Sequence, residues 1–529
     1  MSTKDILRWI AALAIIWLLL ILPDTPWAMD LPGWTHAPWE LVAVVLLPRL
    51  LPPRGWAWVK PVATAVLTLA VVIKIASIVT QFGFDRPPAP LADLPLIPIA
   101  LGTLAMNNWL LAVAAVAGPV VLLAVVVAAI WWALTILGRV AATPAWLPGT
   151  LGLAAVIGVL SLISVGDPPL PITNAATSVM MRGQARLLAA DLRDMRAFRE
   201  DLDRPEPSAG TAALSGLRGA DVLVIFIESY GRSALERAPY ERIVRPALDQ
   251  STAALAAAGF HASSAWLTSP TFGGESWLAH STVDSGLAVT SDSRYRALVH
   301  SKRTTLAHDF KQAGWRTAAV MAEITGPWLE AAYFGFDATY TAPELGYGGP
   351  AFGYVTMPDQ YILHAFNRLE FAKPDRPPLM AEIALVSSHI PWAPLPRMVP
   401  WNDVGDGAVF ATARTPETAD QVWSDDARVQ VFYARSLEYV LQAVTSFITT
   451  YGRDNTLVIV MGDHQPMGFI AGEGASHQVP VHLIARDETL LRALDGGAWV
   501  TGMTPVASGP VMGMEALRAH IVTAFTPRQ

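Results

Sequence analysis

Apolar positions are spread unevenly along the chain. Before residue 167 they gather into five stretches, at about 6–22, 39–53, 60–81, 109–138 and 146–166; beyond it they form short β-rich runs at 221–227, 317–322, 379–387, 456–461 and 480–485, with helical patterns such as 303–313 and 428–450 between them. A membrane-crossing helix needs roughly 20 apolar residues. The first, third, fourth and fifth stretches reach that length, whereas the second, Trp39 to Pro53, carries Arg49 and prolines and leaves open a segment lying at the interface. Strands that alternate with helices argue for a largely buried sheet. The pattern therefore predicts a multi-pass α-helical membrane domain of about five spans, followed by an α/β domain with a central, largely parallel sheet between helices.

Charge orients the spans. Lys4 and Arg8 precede the first stretch, Arg49, Arg54 and Lys60 separate the second from the third, and Arg139 follows the fourth, so those loops read as cytoplasmic. The loops at 23–38 and 82–108, with Asp24, Asp30, Asp85, Arg86 and Asp93, are poor in positive charge. Five spans with the amino terminus inside place everything after residue 166 outside. The first span is expected to be retained as an anchor, because Pro26-Trp27-Ala28 is a poor cleavage site and further spans follow. Lys74 lies near the outer end of the third stretch, from which its ammonium is expected to snorkel to the interface. A charged helical pattern over about 178–205 and the turn Pro205-Glu-Pro-Ser-Ala-Gly then lead into the second region. The expected organisation is an anchor domain at 1–166, a connecting segment at 167–215 and an extracytoplasmic domain at 216–529.

Composition narrows the chemistry. The 529 residues are 53% hydrophobic and carry a formal charge of −7. No basic surface exists of the kind that phosphate neutralisation requires, so no nucleic-acid partner is expected. The chain has no Cys, which excludes disulfides and thiolate metal sites.

Three clusters carry candidate chemistry. The apolar run from Val222 ends in Ile227-Glu228-Ser229, and the run from Leu457 ends in Gly462-Asp463-His464. Taken alone, Glu228 reads as the first solvated residue past a buried strand, and Asp463-His464 as a turn. Together they place carboxylates and an imidazole at the carboxyl ends of strands, where ligands gather in α/β sheets, and such oxygen and nitrogen donors suit a divalent ion. The third cluster, Thr271-Phe-Gly-Gly-Glu-Ser-Trp-Leu-Ala-His280, sets Ser276 at or near a helix start, where free N–H groups and the helix dipole favour an anion. An isolated Ser there would be an ordinary cap; beside two metal-ligating segments it is a candidate nucleophile. His280, one turn on, shares a face with Ser276 and is expected to pack.

The segments Ile227-Glu228-Ser229, Gly273-Gly274-Glu275-Ser276, Ser387-Ser388-His389-Ile390-Pro391-Trp392 and Gly462-Asp463-His464-Gln465-Pro466 occur in the order seen in the sulfatase-like branch of the alkaline phosphatase superfamily. The chain most resembles membrane phosphoglycerol transferases, the lipoteichoic acid synthases and the enzymes that decorate periplasmic glucans, over essentially its whole second region. The resemblance implies an alkaline-phosphatase/sulfatase-like domain in which Glu228, Ser276, Asp463 and His464 ligate one divalent ion (manganese, magnesium or zinc). Ser276 would also be the nucleophile, where lipoteichoic acid synthases have Thr. His389 matches the family's substrate-contacting His, Trp328 its headgroup-contacting Trp, and His477 is placed at the pocket. The Arg expected two residues after Trp328 is Glu330 here, which removes a cation from the phosphate contact.

The implied reaction moves a phospholipid headgroup, phosphoglycerol before others, from an anionic or zwitterionic phospholipid through a phospho-Ser intermediate to a cell-envelope glycan or glycolipid. The implied location is the bacterial inner membrane, with catalysis on the periplasmic or extracellular side. A phosphoethanolamine transferase acting on lipid A is the alternative, although that group usually carries disulfides. A sulfatase-type hydrolase is disfavoured because Trp277 and Leu278 stand where a formylglycine pattern needs Pro and Arg, and an inactive membrane scaffold is disfavoured by the intact Glu, Ser, Asp and His set.

Overall fold

The computed structural model describes residues 3–25, 37–84, 87–94, 97–98, 101, 109–143, 148, 151–152, 155–156, 173–174, 176–204, 214–352, 355–497 and 499–527. It divides into two compact units, Met1–Arg196 and Ala197–Gln529.

In the first unit the apolar stretches become helices α1 (Thr3–Ile21), α2 (Glu40–Leu50), α3 (Pro53–Phe84) and α4 (Trp109–Ala141). Ala12, Ile16 and Leu20 of α1, Leu41 and Val45 of α2, Leu67 of α3 and Ile130, Leu134 and Leu137 of α4 form one apolar core at helical spacing. Elsewhere α4 is apolar all round, and Val113, Val120 and Leu123 are exposed, the pattern of a helix that meets hydrocarbon rather than water. Among the described residues, two segments are long and apolar enough to cross a membrane, Pro53–Gln81 and Trp109–Ala141. The five predicted spans are thus not all met. Helix α1 carries Lys4, Asp5 and Arg8 within 19 residues, α2 has 11 residues with Pro48 inside, and most of 146–166 lies outside the described residues. Lys74 does not snorkel: it is 1% exposed, and its Nζ donates to Leu20 O at 2.5 Å. The last carbonyls of α1 lack intrahelical donors, and the ammonium supplies one.

Helix α5 (Ala176–Leu202) covers the charged stretch predicted at 178–205. The second unit is then built on strands β1 (Asp221–Ile227), β2 (His261–Thr268), β3 (Arg316–Met321), β4 (Ala338–Thr341), β5 (Leu379–Leu385), β6 (Thr456–Gly462), β7 (Gln478–Ala485), β8 (Val500–Thr501) and β9 (Val511–Gly513). Their order is β8-β2-β7-β6-β1-β5-β3-β4, with β9 beside β2. The sheet is mixed rather than largely parallel. Strands β6, β1, β5, β3 and β4 run parallel, but β7 is antiparallel to both β6 and β2, and β8 is antiparallel to β2.

The central strands read as continuous apolar runs because both sheet faces are covered. In β1, Leu223, Ile225 and Ile227 enter one core and Val222, Val224 and Phe226 the other. Helices α6 (Glu241–Ala257) and α8 (Asp426–Tyr451) cover the first face through Val244, Leu248, Leu437 and Phe447. Helix α7 (Ser276–Ser285) contributes Ala279 and Val283 to the second.

At the end of β1 opposite the site, buried Asp221 accepts from Arg376 Nη1 at 2.6 Å, Arg376 Nη2 at 2.7 Å and Leu379 N at 2.9 Å. Removing one partner of a buried pair strands the other, so Asp221→Ala is expected to lower the unfolding free energy by about 3–5 kcal/mol. Urea denaturation followed by circular dichroism checks this, and a loss under about 1 kcal/mol would show that the pair behaves like an exposed one.

Candidate active site

The register of the central strands assembles the site. Ile227 pairs with Gly462 on one side and with Leu385 on the other, so the residues that follow β1, β6 and β5 emerge at one sheet edge. Glu228 N donates to Leu385 O at 3.2 Å, and Asp463 N to Ile227 O at 3.2 Å. Gly462 is required here by close approach, since a Cβ would lie 1.9 Å from Tyr230 O.

Four of the predicted residues come together. Glu228, Asp463 and His464 each present a ligand atom, all within 4.8 Å of one another. Ser276 Oγ lies 3.0 Å from Glu228 Oε2 and 3.2 Å from His464 Nε2. Ser276 reaches them as the first residue of α7, after a loop in which Gly273 (φ 76°), Gly274 (φ 155°) and Glu275 (φ 62°) turn the chain sharply. Two neighbouring hydroxyls are committed to backbone carbonyls: Ser269 Oγ to Asp463 O at 2.6 Å and Thr271 Oγ1 to Gly274 O at 2.7 Å.

The surroundings orient each donor. Asp463 Oδ1 accepts from Ser229 N at 2.8 Å and His464 N at 2.6 Å, leaving Oδ2 for the cluster. His464 Nδ1 lies 2.7 Å from Gln465 O. A carbonyl only accepts, so Nδ1 carries the proton and Nε2 offers a lone pair toward Ser276. Ser229 Oγ donates to Glu228 Oε1 at 2.6 Å.

Electrostatics at the cluster are unbalanced. Burial works against the Glu228 carboxylate, yet the neighbouring His464 and His389 rings and the hydroxyls of Ser229 and Ser276 outweigh it and hold its pKa down to about 2. Asp463 is pushed well above the usual carboxylate range by burial and then by the Glu228 charge. No Lys or Arg among the described residues bonds to either carboxylate. Two crowded buried carboxylates, an oriented imidazole lone pair and a hydroxyl fit a divalent cation, which would neutralise what the chain leaves uncompensated.

The remaining predicted residues lie around this centre. His389 follows β5, its Nδ1 2.5 Å from Ile390 O, and favours the carboxylate form of Glu228. Trp328 packs against Phe334, ring centroids 5.2 Å apart, in the wall of a cavity beside α7. His477 sits against Phe272 at 5.4 Å, with Nδ1 3.3 Å from Ser269 O, beside the loop that delivers Ser276. His280 packs, as expected, stacked 3.9 Å from Phe226, but its Nδ1 also meets Glu382 Oε1 at 2.6 Å. Glu382 and its buried neighbour Asp284 were not anticipated. The one available signal was a charged residue in the middle of the run Leu379-Met-Ala-Glu-Ile-Ala-Leu385, where burial demands a partner.

The sulfatase family model matches residues 220–484, half of the chain, and spans β1 through β7 with every residue of the cluster. No curated protein sequence matches the chain. Among solved structures, it is similar to the lipoteichoic acid synthase LtaP of Listeria monocytogenes at 13% identity, covering 63% of this chain and 78% of that one with a TM-score of 0.40. It is also similar to the Streptococcus pyogenes phosphoglycerol transferase GacH at 13% identity, 63% and 80% coverage and a TM-score of 0.38. The soluble domain of lipooligosaccharide phosphoethanolamine transferase A of Neisseria meningitidis matches at 14% identity, 58% and 88% coverage and a TM-score of 0.38. By the family match over its sheet and its strand-end cluster, the chain belongs to the sulfatase family.

Proposed function

We propose that this protein is a metal-dependent membrane phosphotransferase that moves a phospholipid headgroup, through a phospho-Ser276 intermediate, to an envelope glycan or glycolipid. The observation that carries this reading is the Ser276 hydroxyl at a helix start, in contact with both Glu228 and His464. Glu228, Asp463, His464 and Ser276 would hold one divalent ion, manganese, magnesium or zinc. Such an ion acts as a Lewis acid and lowers the pKa of a neighbouring hydroxyl.

Ser276 Oγ forms a bond to the headgroup phosphorus as the bond from phosphorus to the diacylglycerol oxygen breaks, and diacylglycerol leaves with a proton. An acceptor hydroxyl then attacks phosphorus and releases Ser276, which regains its proton. The start of α7 presents free N–H groups to the phosphoryl oxygens. His389 would protonate the leaving oxygen or orient the acceptor. Trp328 and His477 would contact the substrate. The apolar helices α3 and α4 suit a donor that is itself a lipid, with the second unit on the periplasmic or extracellular face. Phosphoglycerol is the group the family resemblance favours. Phosphoethanolamine is the second reading, favoured by the acidic lining of the cavity beside α7.

Purified protein incubated with labelled phosphatidylglycerol, and separately with phosphatidylethanolamine, is expected to release diacylglycerol and to carry the headgroup phosphate on Ser276 by mass spectrometry. Turnover that survives Ser276→Ala would remove the nucleophile assignment. Apparent affinity for the ion is expected to rise with pH. The raised Asp463 carboxyl holds a proton that the ion displaces, so affinity climbs by up to about tenfold per pH unit until that proton is gone. Titration calorimetry at several pH values checks the slope, and a flat profile contradicts it.

A further inference from the structure

Asp359 is a buried carboxyl that the reaction above does not use. It opens the helix Asp359–Phe366, where a negative charge is ordinarily favoured by the first N–H groups and the helix dipole. Its side chain is spent elsewhere. Asp359 Oδ1 accepts from Val386 N at 2.7 Å and from Ser387 N at 3.0 Å, the first two residues after β5, and Ser387 Oγ in return accepts from Asp359 N at 2.9 Å. A reciprocal set of bonds thus locks the helix start to the strand-end turn.

That turn carries His389. His389 N donates to Val386 O at 3.0 Å, so the residue whose N–H is held by Asp359 also closes the turn through its carbonyl. Ser388, between the two, donates from Oγ to Glu228 O at 2.6 Å and accepts at its carbonyl from Trp392 Nε1 at 2.7 Å. The backbone that leads to His389 is therefore fixed from three sides. The imidazole itself donates from Nδ1 to Ile390 O, since a carbonyl only accepts, and its lone pair lies on Nε2.

Packing alone does not account for a carboxyl at this position. Asp359 is 0% exposed, its Oδ2 has no hydrogen-bond partner, and burial pushes its pKa up to about 7 even though two backbone N–H groups favour the charged form. Buried polar atoms without partners are rare, and one retained beside a reactive centre calls for a reason beyond stability. We propose that Asp359 is a positioning residue for His389: by holding Val386 N and Ser387 N, it sets the turn that presents the imidazole to the substrate. The inference rests on the phosphotransferase reading for what His389 does, and on the turn alone for where His389 is held.

A double-mutant cycle on diacylglycerol release, with full-length protein in detergent and saturating manganese, tests the assignment. Asp359→Ala is expected to lower kcat by at least about tenfold while KM changes by less than about threefold, because a small misplacement of a catalytic group costs rate before it costs binding. Asp359→Asn, whose amide oxygen can still accept from Val386 N and Ser387 N, should recover most of that loss. In a His389→Ala background the Asp359→Ala change should cost about twofold or less, since nothing remains to be positioned. A larger further loss in that background, or no loss in the first, overturns the proposal. Diethyl pyrocarbonate, with mass spectrometric readout, reports on the turn without turnover. In Asp359→Ala, His389 should be modified at least about threefold faster as the turn loosens, while the exposed His261 and His300 keep their rates. An unchanged or slower rate at His389, in a variant with native circular dichroism, also overturns it. Should Asp359→Ala not fold, Ser387→Ala, which removes the reciprocal acceptor, goes through both measurements with the same criteria. If His389 reacts faster in the variant but the unsubstituted protein transfers no headgroup, the positioning role stands and the phosphotransferase reading falls.

Discussion

Ser276→Ala is expected to lower kcat by at least about 10³-fold and to abolish the phosphorylated intermediate, since loss of the nucleophile leaves only positioning and charge stabilisation. Ion affinity should change far less, because Glu228, Asp463 and His464 remain within 4.8 Å of one another and keep their hydrogen bonds to Ser229 N, His464 N and Gln465 O. Rapid-quench kinetics with a radiolabelled donor, together with metal analysis of the same sample, separates the two effects. A variant that keeps more than a few per cent of turnover would mean that water, rather than Ser276, attacks phosphorus.

Asp463→Asn is the second change of large effect, and the direction of its influence on stability distinguishes a ligand from a structural residue. The Asn carbonyl can still accept from Ser229 N and His464 N, so the turn after β6 should survive. The negative charge is lost, and with it the stronger of the reasons for a cation to enter. Bound divalent ion should disappear at micromolar supply, and turnover should fall by about 10³-fold or more, beyond the 10–100-fold that outer partners of a metal usually cost. In the parent protein, an ion at a hundred times its Kd adds about 2.7 kcal/mol of stability; this increment should vanish in Asp463→Asn. Without the ion, the variant should be no less stable than the parent, because burial and the Glu228 charge already disfavour an ionised Asp463 and the neutral amide replaces a protonated carboxyl. Differential scanning calorimetry with and without chelator reads both quantities, and an ion-induced shift retained in the variant would remove Asp463 from the ligand set.

The central strands were legible because they are buried on both faces, which writes an unbroken apolar run into β1, β5 and β6. Strand β2 was not. His261-Ala-Ser-Ser-Ala-Trp-Leu-Thr268 is rich in small and hydroxyl residues, and its hydroxyl at Ser264 is satisfied inside the fold by His482 Nδ1 at 2.7 Å and Gly502 O at 2.6 Å. Such partners come from strands far along the chain and leave no trace in local pattern. Strand β7 runs antiparallel to both β6 and β2, so a largely parallel expectation met a mixed sheet. The four residues of the cluster were readable from strand ends and a glycine turn, because those features are local. Asp284 and Glu382 were not, because what marks them is burial without enough partners, a property of the folded neighbourhood. Lys74 misled for the same reason: a lysine near a helix end reads as solvated until the carbonyls of another helix are placed against it.

The hydrogen bond from Ser229 N to Asp463 Oδ1 joins residues 234 positions apart. Synthesis supplies β1 first and β6 much later, and the ends of a long chain segment must meet before either can contribute to the cluster. No fragment ending before residue 464 contains both carboxylates and the imidazole. On the proposed reading a nascent or truncated chain is therefore chemically silent, and the cluster assembles only when the middle of the sheet has closed.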